Sequence, residues 1–218
     1  MVSAVLNRMS GNYSNDLIQN SAVPDGYVYV FNSPQYFNGH IGHDGILLQV
    51  GDGQISIYSF HPYLNQGAYI SKGSIAHFVH PEDASSFDMF VVSCLTPHPD
   101  IDHRSDDRGI LLENGTVAWN ERIRRVIRMG VNRTQLDSMR SFADSFAEHP
   151  HGFNFITYSC QHFVDDVLKA GGIEVRDRKF DLFMDLVPNS FFKRATDSTK
   201  GVLSFEKIDL EEYALRKF

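Results

Sequence analysis

Asp52-Gly53 stands between two apolar runs, His43–Val50 and Ile55–Phe60, and no other feature restricts the fold of this chain so tightly. An Asp-Gly pair accepts the positive φ angles of a tight turn, and both runs carry the aliphatic and aromatic side chains of sheet strands. An antiparallel hairpin closed at Gly51-Asp52-Gly53 is therefore expected. Tyr27-Val28-Tyr29-Val30-Phe31, bounded by Gly26 and Pro34, reads as a strand before it. Ala76–Val79, Phe87–Leu95 and Arg122–Arg128 read as strands after it.

Helical spacing begins further on. Asn132 or Thr134 caps a segment whose apolar face holds Leu136, Met139, Phe142, Ala143 and Phe146, and Pro150 stops it. In Cys160–Ala170 the residues Phe163, Val164, Val167 and Leu168 follow the cysteine at three, four, seven and eight positions, the stripe of one buried helix face. Gly171-Gly172 ends that helix, and Pro188–Phe192 opens a late one. The fold class is α+β, an antiparallel sheet packed by helices. The expected organisation is an arm over 1–25, one domain over 26–195 and a charged tail over 196–218.

The 218 residues carry a net charge of −7 with acidic and basic side chains interspersed, which argues against nucleic acid or an anionic membrane surface as partner. No stretch approaches 18 apolar residues, so no membrane span is expected. Met1–Leu6 lacks a charged leader with an apolar core, and the chain is expected to be made in the cytoplasm without a signal peptide. Two cysteines are too few for a disulfide framework. Cys94, inside Phe90-Val91-Val92-Ser93-Cys94-Leu95, reads as a buried strand residue; a Cys94–Cys160 disulfide is the minor alternative. Pro97–Gly109 reads as a solvated acidic loop.

Cys160 differs from Cys94 by opening its helix, with Ser159, Gln161 and His162 around it. First-turn N–H groups and the helix dipole favour a thiolate there, the form that attacks carbonyl carbon. A histidine is the usual proton acceptor for such a thiol. His43, at the start of the first hairpin strand, is the expected base, and His40 three residues earlier is a substrate-contacting or supporting group. An imidazole base needs a third group to orient it. Counting outward from the turn puts His43 opposite His61 or Pro62, so His61 and Ser59 are candidates, with Asp44 weaker. Gln161 or the Cys160 N–H is placed to bind an oxyanion.

Gly42-His43-x-Gly45-Ile46, Tyr58-Ser59-Phe60-x-Pro62 and Cys160-Gln161-x-Phe163-Val164-x-x-Val167-Leu168-x-x-Gly171-Gly172-Ile173 together resemble the circularly permuted NlpC/P60 group of papain-like cysteine hydrolases. The resemblance spans roughly residues 26 to 192, with the histidine strand preceding the cysteine helix as in the permuted members. It implies a papain-like fold, a Cys160–His43 dyad with a polar third residue, no cofactor, and hydrolysis of amide, peptide or ester bonds. Many relatives have Asn before the cysteine where this chain has Ser159, and the third residue has no clean match. Size and the lack of a signal resemble the toxic effectors delivered by type VI secretion. That likeness implies transfer to a target-cell periplasm, attack on peptidoglycan peptide cross-links, a secretion-machine carrier and an immunity protein. Lipid acyl hydrolysis or acyl transfer on the same fold is the alternative chemistry.

Two other classes stay open. A metal-dependent hydrolase would draw ligands from His40, His43 and His61 or from His98, Asp100, Asp102 and His103. The histidine spacing is not that of a helical zinc pair, however, and the loop lacks the calcium-binding pattern, so no metal is expected. A non-catalytic binding module on the same fold would keep the residues without the reaction.

Overall fold

The hairpin turns where Asp-Gly predicts, with Gly51 at a φ of 56° and the Gly53 N–H donating to the Val50 carbonyl at 2.9 Å. The structure is a computed structural model and describes residues 23–33, 43–51, 53, 55–62, 70–79, 86–95, 110–111, 117–118, 123–154, 157–175, 192, 195 and 199–218. In chain order the elements are β1 (Gly26–Ser33), β2 (His43–Val50), β3 (Ile55–Pro62), β4 (Ile70–Val79), α1 (Phe87–Leu95), β5 (Ile110–Leu111) and β6 (Val117–Ala118). There follow β7 (Arg125–Val131), α2 (Arg133–Glu148), β8 (Gly152–Asn154), α3 (Cys160–Ala170), β9 (Ser204–Asp209) and α4 (Leu210–Lys217). Seven strands form one sheet in the order β8-β4-β3-β2-β1-β7-β9, and every neighbouring pair is antiparallel. The fold is thus α+β, as expected. Among the described residues no helix is long and apolar enough to cross a membrane.

Alternation divides the sheet into two covered faces. Val28, Val30, Ile46, Leu48, Tyr58, Phe60, Ile127 and Met129 pack under α2 and α3, joined by Phe163, Val164, Val167 and Leu168. Tyr29, Phe31, Leu47, Ile55, Ile57 and Val126 point the other way, against α1 and α4. Phe87 of α1 stacks on Tyr29 with ring centroids 4.5 Å apart, and Phe90 lies 5.8 Å from Phe31. The α2 start is closed by a capping box, in which the Asn132 side chain accepts from the Gln135 N–H and the Gln135 side chain accepts from the Asn132 N–H.

Three expectations need correction. Phe87–Leu95 is a helix and not a strand, because Phe87, Phe90, Val91 and Cys94 are buried at helical spacing while Met89 and Val92 are exposed. The last segment is no tail, since β9 pairs with β7 from Arg125↔Asp209 to Gly130↔Ser204 and α4 rests on α1 through Tyr213. The expected strand at Arg122–Arg128 is shifted three residues along, to Arg125–Val131. Residues 1–22 of the expected arm over 1–25, the loop over 97–109, and residues 188–191 of the expected helix start at Pro188–Phe192 lie outside the described residues.

Candidate active site

Cys160 is the first residue of α3, 5% exposed, and the helix is seated by rings behind it. Phe163, one turn on, faces Phe60 of β3 at 6.1 Å and Phe146 of α2 at 5.0 Å. At the far end the Gly171 carbonyl accepts from Gln135 Nε2 at 2.9 Å, close to where α2 begins. The Val50 end of β2 lies there too, because a Cβ on Gly26, paired with Val50, would meet Leu136. The helix therefore runs from the His43 end of the sheet, where Cys160 sits, toward the Val50 end.

A local hydrogen-bond pair holds the turn that presents the thiol. The Ser159 N–H donates to His162 Nδ1 at 3.2 Å, and the Ser159 hydroxyl lies 3.0 Å from the same nitrogen. A nitrogen that accepts a backbone N–H carries no proton, so the neutral His162 ring holds its proton on Nε2. Histidine here fills the position that Glu or Gln takes in a common capping box, a role hidden from pattern matching by the unusual residue. Ser159 is fully buried and Gln161 is 2% exposed, so the thiol opens its helix among buried polar groups.

His43 is 2% exposed and its Nε2 lies 2.8 Å from Ser59 Oγ. Burial strips water from the imidazolium form and pulls the pKa down to about 3. Ser59, one of the candidates open for the third position, thus lies within hydrogen-bond distance of His43. The pairs Ile46↔Tyr58 to Gln49↔Ile55, continued outward, set His43 opposite His61. The His61 side chain and the whole of His40 fall outside the described residues.

Alternation separates this pair from the thiol. Ile46 and Leu48 face α3, so His43, Gly45 and Leu47 face the opposite way. A Cβ on Gly45 would overlap the Phe31 ring, which belongs to the α1 side. Ser59 lies between Tyr58 and Phe60, both on the α3 side, and so turns toward α1 as well. His43 and Ser59 meet on the α1 face of the sheet, whereas α3 lies over the other.

The residue of β2 that does turn toward the α3 face at this end is Asp44. It begins a polar row that runs from the interior to a half-buried end: Asn32 Nδ2 donates to Asp44 Oδ1 at 2.8 Å, and the half-buried Arg125 donates to Asn32 Oδ1 at 3.0 Å. Arg125 also lies over the Phe192 ring, 5.7 Å from its centre. Sequence reading missed Asn32 and Arg125. The available signal was a polar residue continuing two apolar series on one strand face, Val28-x-Val30-x-Asn32 and Leu48-x-Ile46-x-Asp44.

Cys94 and Cys160 form no disulfide. Cys94 is buried on the α1 side, where desolvation raises its thiol pKa well above the usual value despite the nearby Arg124 charge. Among the described residues no three His, Cys, Asp or Glu side chains are grouped to hold a metal ion. No protein-family model, curated protein or solved structure matches the chain.

Proposed function

We propose that the chain is a papain-like cysteine hydrolase with Cys160 as its nucleophile. The observation that carries this is the thiol at the first position of α3, buried among Ser159 and Gln161 rather than among apolar side chains alone. First-turn N–H groups and the helix dipole favour the thiolate, the form that attacks a carbonyl carbon. In the proposed reaction Cys160 gives its proton to a base, and Sγ bonds the substrate carbonyl carbon. The leaving amine takes that proton as the C–N bond breaks, and water cleaves the resulting thioester. Peptide cross-links of peptidoglycan are the first substrates to try and acyl esters of lipids the second. A target-cell periplasm is the proposed place of action.

His43 is the proposed base on sequence resemblance and on its bond to Ser59. The alternation of β2 bears against it. That same observation favours a second reading, a non-catalytic module that keeps a papain-like frame for binding.

Both are tested by incubating purified muropeptides and bacterial lipids with wild type, Cys160→Ala and His43→Ala, then reading products by mass spectrometry. Iodoacetamide alkylation of Cys160 across pH runs alongside. Products from wild type and not from Cys160→Ala support the hydrolase. Activity retained in His43→Ala removes His43 from the mechanism. No product, with a thiol that alkylates no faster than an ordinary buried cysteine, supports the module.

A further inference from the structure

We infer that Gln161 selects amides over esters at this site, its Oε1 accepting the substrate's amide N–H; this rests on the cysteine-hydrolase reading above. Gln161 is the second residue of α3, directly after the thiol, and its side chain is 2% exposed. Its Oε1 is sealed from solvent and has no hydrogen-bond partner among the described residues. The polar group two residues before it is bonded, the Ser159 hydroxyl lying 3.0 Å from His162 Nδ1.

A buried acceptor without a donor is destabilising, and native proteins hold few such groups. They are concentrated where a ligand completes the set. Oε1 can only accept, so what completes it is a donor. The donor that reaches the residue beside a thiol nucleophile, in a substrate being acylated onto that thiol, is the N–H of the amide undergoing cleavage. An ester has oxygen there and leaves Oε1 unsatisfied. Sites built to bond a substrate N–H discriminate strongly against analogues lacking it, because the penalty falls on the complex.

Met has nearly the shape of Gln and neither acceptor nor donor, so Gln161→Met in the full chain separates this role from others. The probes are a p-nitroanilide and a p-nitrophenyl ester of the same acyl group, read as kcat/KM, with thermal denaturation of both proteins. The expected result is a loss on the anilide at least tenfold greater than the loss on the ester. Tm should stay level or rise by about 2–4 °C, because an unsatisfied buried oxygen has been removed. Equal losses on both probes overturn the proposal, since an oxyanion donor or a positioning role would act on both carbonyls. So does a Tm fall of several degrees, which would mean that the carboxamide is bonded within the fold. A wild type inert on both probes overturns the hydrolase reading and this proposal with it, whereas an active wild type with equal losses overturns this proposal alone.

Discussion

Acidification from pH 7 to pH 5 should destabilise the chain through His43. The folded imidazole titrates at about 3 because burial removes water from its cation, while an unfolded histidine titrates near 6.5. Between those values the unfolded chain binds a proton that the folded chain refuses. The stabilisation is therefore complete above about pH 6.5 and is lost as pH falls toward 3. At pH 5 the difference amounts to about 2 kcal/mol, against about 0.2 at pH 7. A folded pKa one unit higher changes this little, since the unfolded histidine sets the upper edge of the window. For a chain of this size the loss corresponds to about 4–8 °C in Tm. The assay is thermal denaturation at pH 7 and pH 5 for wild type and His43→Gln, whose amide does not titrate. Wild type should lose that much more than the variant over the same step; the comparison removes the contribution of the other histidines and carboxylates. Parallel losses would refute the reasoning. They would mean that His43 titrates normally and stands in water, as the base of an open cleft would.

Gly45→Ala should cost about 1–3 kcal/mol in urea denaturation, because its Cβ would overlap the Phe31 ring inside a packed face. Unchanged stability would show that β2 does not face Phe31 with this residue. Deleting residues 204–218 should leave a chain without cooperative unfolding by circular dichroism, because the cut uncovers the β7 edge and the Phe87 ring that Tyr213 covers. A monomer that still melts in one sharp transition would return the segment to the status of a tail.

Much of the frame is legible in the sequence because it is written locally. Asp52-Gly53 marks the turn, and β2 and α3 begin and end where strand composition and helical spacing place them. Phe87–Leu95 misleads for a physical reason. Phe90-Val91-Val92 has strand-forming side chains, yet Phe87, Phe90, Val91 and Cys94 are spaced for a helix, and burial of that stripe on Tyr29 and Phe31 overrides propensity. β9 is hard to read because, among Ser204–Asp209, only Ile208 is buried, so an edge strand looks like a solvated tail. The facing of His43 is harder still. In β2 every residue from His43 to Gln49 is buried on one face or the other. A strand covered on both sides has no polar face, and without one its alternation carries no visible sign of which helix each residue meets.

That facing is over-determined once the sheet is assembled. Pairs of β1 with β2 run unbroken from Gly26↔Val50 to Ser33↔His43, so no extra residue intervenes between His43 and the Ile46–Leu48 series that defines the α3 face. A one-residue slip of the whole strand would turn Ile46 and Leu48 off that face and move Gly45 from beneath Phe31, where a larger side chain does not fit. A bulge confined to Asp44 and Gly45 is the cheaper route. It would turn His43 toward α3 while leaving the apolar series in place, and bulges are common beside active sites. Its cost is the Asn32–Asp44 bond, about 1.5–3 kcal/mol for a bond to a carboxylate, together with the anchor that this bond gives Arg125. A catalytic His43 therefore requires Asp44 to let go of Asn32. Where it does not, Asp44 remains the β2 side chain on the thiol's side of the sheet, and catalysis by Cys160 has to proceed without His43.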